Sequence, residues 1–594
     1  MQKLLALAAV FPLCVTLLGM GAGCKRPSPS LTTSPTPAPE LRAAPPPVGL
    51  IAEIFVPHPD RSWEGVRATL DHSPFPASLA LVLGGYLGLP VSTLDQLDTQ
   101  IALVGAIVDD GSGPSPVLAV HVKDAGRLID LMTTGTAPFR KGERTSSGVV
   151  ALLSSSPGGS TLALAVCDNY LVFGPRQEAL TLAAPFVAEN LSLRPMPAED
   201  FVAVAPQKAL AGTISERLGK WWAAWKQERE AEDIALRQKH GGSAPDFGDP
   251  AQALADIDSR AGRFFSVVQD LAEARLSVVL EPAENQRSAA YRMEATIKAR
   301  SLAGPAAAEI ASMPIAAADP LLSLPSSSAV ALLVRDTREL RDQSSAAQVE
   351  AIGKVLGGRL AESDKQQIED AFRSWASGRG DWLTAGLLLG GSFRAAVVRG
   401  AVGDPKELSH GAASMLKLLG VRAIAEPLSN WVGDLKLSPV APATPASEGA
   451  LQSVHVTRRP PKLTLVRDQG RATDNDAFDI VWSVDKELIV GVAGRDARTL
   501  YATLQKPAAG KTIADRPFVK NSLLRLGATI SFALVVDSSL LGVPHRADPD
   551  GSVFVLAYGK DPKAAADRAF IELDLPASAL ASYASLLGGL ALAP

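Results

Sequence analysis

Cysteine is nearly missing from this chain: there are three in 594 residues, Cys14, Cys24 and Cys167. Cys14 lies inside an N-terminal apolar run and Cys24 ends it. Cys167 therefore has no intramolecular partner, which excludes a disulfide-stapled body even in an oxidising compartment. Its place at the end of the apolar run 162–166 reads as a small buried hydrophobe rather than a nucleophile. Aromatic residues are only 5% of the chain, so Ala, Leu and Val must carry the core. A basic excess is missing too: 58 Lys and Arg face 62 Asp and Glu, with a formal charge of −4 and the two signs interspersed. No nucleic-acid partner is expected from that balance.

Local catalytic signatures are also absent. The chain has no Gly-rich phosphate loop, HExxH, GxSxG elbow, paired CxxC or dinucleotide fingerprint, and its seven histidines are scattered with no pair at i, i+4. No cofactor or metal is expected from residue spacing, and any active site must be assembled from distant residues. Asp548-Pro549-Asp550-Gly551 opens like a calcium loop, but Val553 and Gly559 occupy the positions that need glycine and glutamate, so it reads as an acidic turn. Arg379-Gly380-Asp381 spells an adhesion tripeptide, which is too short to be specific.

What is present begins at the N-terminus. Lys3 precedes the apolar run Leu4 to Met20, and Gly21-Ala22-Gly23 leads to Cys24. This leader resembles bacterial lipoprotein signals, with Gly21 standing where that family usually has leucine. The resemblance implies a signal peptide over 1–23, a diacylglycerol on the Cys24 sulfur, and an extracytoplasmic protein held to the membrane by its N-terminal lipid. Lys25 in place of aspartate points to the outer membrane, facing the periplasm or the cell surface. Ordinary secretory cleavage and a retained anchor stay open as alternatives. Residues 25–47, rich in Pro, Ser and Thr, hold too few large apolar side chains to offset ordering entropy and read as an extended tether.

The remaining length implies at least two domains. Val82-Leu83-Gly84-Gly85-Tyr86-Leu87 recurs as Val355-Leu356-Gly357-Gly358-Arg359-Leu360, with a weaker echo at Leu586 to Leu590. Around the first two copies the order of strand-like runs and helix starts is the same, and residues 166–174 (VCDNYLVFG) correspond to 483–491 (SVDKELIVG). The chain thus reads as two homologous halves, 48–312 and 313–594. Asp124, Asp336, Asp404 and Asp561 each follow an apolar run and precede helical spacing, as N-caps do. Polar turns between alternating runs predict hairpins: 276–282 with 291–297, and 454–457 with 463–466. The expected fold class is α+β, with mainly antiparallel curved sheets in each half, covered by helices on one side. Residues 440–449 read as a loop insertion.

Two helical features stand out. Ser363 opens a helix whose Ile368, Phe372 and Trp375 share one face. In the first half alone, a helical hairpin is expected over 214–274, with helices at 214–240 and 251–274. Trp221, Trp222, Trp225, Lys226 and Arg229 on its first helix are the candidate partner contacts, its base packing on the body and its charged tip reaching solvent. Three functions fit this reading. The first is a binding or scaffolding component of the bacterial envelope with a protein partner; the others are a carrier of an apolar ligand in a sheet–helix cavity and a hydrolase with a non-local site.

Overall fold

The structure is a computed structural model that describes residues 44–576, apart from internal stretches of which the longest are 155–161, 240–249, 282–289, 427–433, 440–450, 460–475 and 540–551. Cys24, the tether up to residue 43, the 440–449 insertion, the run 463–466, the acidic turn at 548 and the echo at 586 lie outside the described residues.

Alternating apolar positions set most strands: β11 and β19 below bury every second residue. The first ten strands are β1 (Leu50–Val56), β2 (Leu103–Asp109), β3 (Pro114–His121), β4 (Phe139–Arg144), β5 (Val150–Ser154), β6 (Ala163–Cys167), β7 (Tyr170–Gly174), β8 (Phe201–Pro206), β9 (Leu271–Glu281) and β10 (Ala290–Ala299). They pair antiparallel in the order β10-β9-β8-β1-β2-β3-β7-β6-β5-β4.

The second ten are β11 (Ser328–Arg335), β12 (Arg379–Leu388), β13 (Ala395–Val402), β14 (Asp434–Pro439), β15 (Gln452–Arg459), β16 (Asp476–Val484), β17 (Leu488–Gly494), β18 (Ile530–Asp537), β19 (Val553–Lys560) and β20 (Arg568–Pro576). Their order is β20-β19-β18-β11-β12-β13-β17-β16-β15-β14, which is the first order with ten added to every label.

The expected fold class, α+β with separate curved sheets in each half, is corrected by the pairing: all twenty strands belong to one continuous sheet. A side-chain pattern reports the repeated unit. It does not report whether an edge strand stays open, because the N–H and C=O groups that decide this are common to every residue. The chain divides into two compact units. One is built on residues up to Leu218 with Val267–Ala306 and the chain from Asp574, and the other on Gly219–Ser266 and Ala307–Leu573.

Helices recur at matching places. In the first set α1 (Pro59–Thr69) and α2 (Leu79–Leu87) follow β1, α3 (Ala125–Thr133) follows β3, α4 (Gln177–Glu189) follows β7, and α5 (Ser215–Lys239) and α6 (Pro250–Gln269) separate β8 from β9. In the second, α7 (Arg338–Leu356) and α8 (Glu362–Gly378) follow β11, α9 (Pro405–Leu418) follows β13, and α10 (Ala497–Gln505) and α11 (Pro517–Leu526) follow β17. Among the described residues no helix separates β18 from β19.

The sheet is covered on both faces, not one. In the first unit Leu180, Ala183 and Val187 of α4 pack on Val104, Ala119 and Val172. On the opposite face Trp63, Leu83, Leu128 and Met132 of α1–α3 pack with Leu164 and Leu171. The reason is legible in β2, buried at five of its seven positions where a one-faced strand would alternate. In the second unit Tyr501, Val519 and Leu523 of α10 and α11 cover one face, and Leu408 with Trp375 meets Trp482, Val484 and Ile489 on the other.

Candidate functional site: the helical hairpin

Helical backbone runs unbroken from Gln207, through a π turn over Leu210–Ile214, into α5. The Ser215 hydroxyl donates to the Leu210 carbonyl at 2.6 Å, five residues back, the spacing a π turn leaves. Arg217 fixes the base of the helix by pairing with Asp109 at the end of β2. Hydrogen bonding from that guanidinium holds the Asp109 carboxyl below its usual range despite partial burial. Beyond this point α5 leaves the core: not one of its described residues is buried.

The hairpin is held by its own contacts. Trp222 and Trp225, one helical turn apart, stack with centroids 4.8 Å apart and planes 17° from parallel. Trp222 also meets the edge of Phe265 on α6 at 6.5 Å. Its indole N–H donates to Asp258 Oδ1 at 2.7 Å, and the Lys226 ammonium reaches the same oxygen at 2.9 Å. First the Trp222 bond and then that of Lys226 hold the Asp258 carboxyl below the usual carboxylate range. Arg229 lies 5.6 Å from the Trp225 ring centre and pairs with Glu232 at 2.7 Å.

Of the five residues that the sequence points to, four are engaged inside the hairpin. Trp221 is 59% exposed and, among the described residues, meets the group through a tilted contact with Trp222 at 6.3 Å. The second helix ends at Gln269, and Leu271 already opens β9, so residues 271–274 are strand and not helix. Asp258, Phe264 and Phe265 escape the sequence pattern, although the Phe264-Phe265 doublet, in a chain so poor in aromatics, is a usable signal.

Other features have structural explanations. Cys167 is fully buried, and burial, followed by the charges of Asp168 and Glu189, pushes its thiol up to about 12. Those three residues bring potential ligand atoms within 4.8 Å of one another. Arg379 of the Arg-Gly-Asp run is tied to Asp336 and is not displayed. A groove of about 810 Å³ separates α7 from α8, with Val349 and Ile368 at its floor and Arg338, Asp342, Glu369 and Arg373 on its rim. It lies between helices, not between sheet and helix. No helix among the described residues is long and apolar enough to cross a membrane.

No family model and no curated protein matches the chain. Among solved structures, the chain described as "Structure of crystal form IV of TP0453" is similar at 9% identity and a TM-score of 0.21, over 44% of this chain and 83% of that one. "Structure of crystal form III of TP0453" is similar at 8% identity and a TM-score of 0.21, over 46% and 90%. Likeness at this level assigns no fold.

Proposed function

We propose that this chain is a lipid-anchored extracytoplasmic protein of the bacterial envelope. Cys24 carries the lipid, residues 25–47 are the tether, and residues 48–312 and 313–594 are two copies of one duplicated unit. The hairpin of α5 and α6 is a docking arm for a second envelope protein. One observation carries the docking reading: α5 is a 25-residue helix without a buried described residue, stiffened by its own aromatic contacts, that presents Trp221 to solvent. The matching connection, from Asp537 to Val553, is far shorter than the hairpin, so the repeated scaffold does not need one. An exposed tryptophan on a rigid support is the kind of anchor that dominates protein interfaces, because a large ring is buried at little conformational cost.

Anchoring and docking are tested separately. Cys24→Ala should block processing or move the protein from the membrane to the soluble fraction, whereas unchanged processing and fractionation would reject lipidation at this residue. A photoreactive phenylalanine derivative at position 221 should give a discrete adduct with a second protein in intact cells, and the same group at exposed Arg422 should not. Equal adducts at both positions, or none at 221, would sink the docking reading.

A further inference from the structure

The shared strand order allows the two sets to be compared row by row. The β6–β7 and β16–β17 turns fix the register, since Val166 pairs with Leu171 and Val484 with Ile489, each pair five residues apart along the chain and each buried on the face under the α1–α3 or α8–α9 helices. On the opposite face, one row of directly opposed residues crosses the first set as Val202, Phe55, Val104, Ala119, Val172 and Ala165. All six belong to the apolar core under α4. The matching row of the second set is Ala533, Leu333, Thr384, Arg399, Val490 and Ser483. Where one copy has Val104, Ala119 and Ala165, the other has Thr384, Arg399 and Ser483.

Two of the three polar residues are accounted for. Thr384 is fully buried and donates to the Arg399 carbonyl at 3.3 Å. Ser483 and Tyr501 of α10 share a hydrogen bond, and Gln505 donates to the same Tyr501 oxygen. Arg399 is different. One of its terminal nitrogens donates to Ser323 Oγ, its Nε is buried without a hydrogen-bond partner, and it forms no ion pair among the described residues. Burial pulls its pKa down, and no carboxylate among the described residues offsets it. The other inward arginines of this unit do have acids: Arg341 and Arg379 share Asp336, Arg516 holds Asp537, and Arg525 holds Glu572. Arg335, on the same face at the end of β11, donates to the Ala317 carbonyl and has Asp381 and Asp319 nearby to balance it.

Arg399 is half-buried, and a guanidinium with a buried, unbonded Nε and no counter-charge among the described residues is disfavoured, whereas the first copy demonstrates that the row folds without one. We infer that Arg399 is the cation of an oxyanion-binding site in the second unit, taking the carboxylate or phosphate group of a small molecule beside the 317–323 segment. Guanidinium is well suited to hold such a group, because its planar fork grips two oxygens at once, and Ser323 Oγ adds a polar neighbour. Duplication supplies the logic, with one copy kept as an apolar scaffold and the other given a charge to bind with. The site stands apart from the hairpin and does not depend on its docking role.

Calorimetric titration of the purified chain with inorganic phosphate and with succinate tests this. One of the two should bind at one site per chain; binding of phosphate alone identifies a phosphoryl ligand, and of succinate alone a carboxylate ligand. Arg399→Leu, which puts an apolar side chain where the first copy has Ala119, should weaken that binding at least tenfold. Arg399→Lys keeps the charge but loses the fork, so it secures the comparison if the leucine variant folds poorly, and it should weaken binding at least threefold. No binding of either anion by the wild-type chain, or affinities within twofold of wild type in every folded variant, overturns the proposal.

Discussion

Asp537 closes β18 with a carboxylate that is only 3% exposed. Its Oδ1 accepts from the Ser539 backbone and hydroxyl and from the Ser552 hydroxyl, and its Oδ2 pairs with Arg516 at 2.8 Å. Burial pushes its pKa up, but the two serines and Arg516 together outweigh it, and the net result lies below the ordinary value of 3.8. A carboxylate with a depressed folded pKa contributes stability that is fully present above its unfolded pKa and lost as pH falls through the folded value. Asp537→Asn should therefore cost roughly 1–3 kcal/mol at neutral pH, where charged hydrogen bonds are lost. The gap between the urea midpoints of variant and wild type should narrow as pH falls below the ordinary value of 3.8; a gap that stays constant with pH contradicts this account. Residues whose roles are local were legible in the sequence. Asp124 accepts from Arg127 N and Asp404 from Lys406 N and Glu407 N, as N-caps must. Asp336 has the same local spacing, yet its carboxylate goes to Arg341 and to Arg379, and Thr337 Oγ1 accepts the helix N–H instead. Arg379 lies 43 residues away, beyond the reach of any capping pattern.

Elements were legible where a period repeats and less so where a register must be chosen. The helix read from Ser363 starts one residue earlier, at Glu362, where Asp364 accepts from Ala361 N at 3.4 Å, and its Ile368 is buried as the spacing required. The alignment of 166–174 with 483–491 is one residue out. Strand pairing sets Val166 with Val484, so Asp485 stands beside Cys167 and not Asp168. A slip of one residue exchanges the faces of a strand, and only burial on known helices decides between the two registers. The Val-Leu-Gly-Gly echo is also displaced: its first copy lies in α2, the second helix after β1, whereas Val355 and Leu356, which open its second copy, close α7, the first helix after β11. β15 pairs with β14 and β16. Arg399 escapes a reading of the sequence because a single arginine in an apolar strand looks ordinary until the matching strand of the other set is laid beside it.

At the scale of the whole molecule, the recurring order of strand-like runs was visible in the sequence, and the continuity of the sheet and the covering of both its faces were not. Continuity rests on backbone groups, and two-faced burial on helices contributed from distant segments of the chain. The hairpin is what this repeated architecture does not explain. If it docks a second protein, its loss should remove the assembly and leave the body intact, because shortening a surface connection changes loop-closure entropy only modestly. The most direct measurement is native mass in gently solubilised host membranes, comparing the intact chain with a variant in which residues 226–254 are deleted and the shortened helices are joined by a flexible loop. The intact chain should run as a complex larger than itself, and the deletion, with its circular dichroism retaining the sheet signal, should run as the chain alone. An intact chain that runs alone, or a folded deletion variant that keeps the larger mass, contradicts the docking arm.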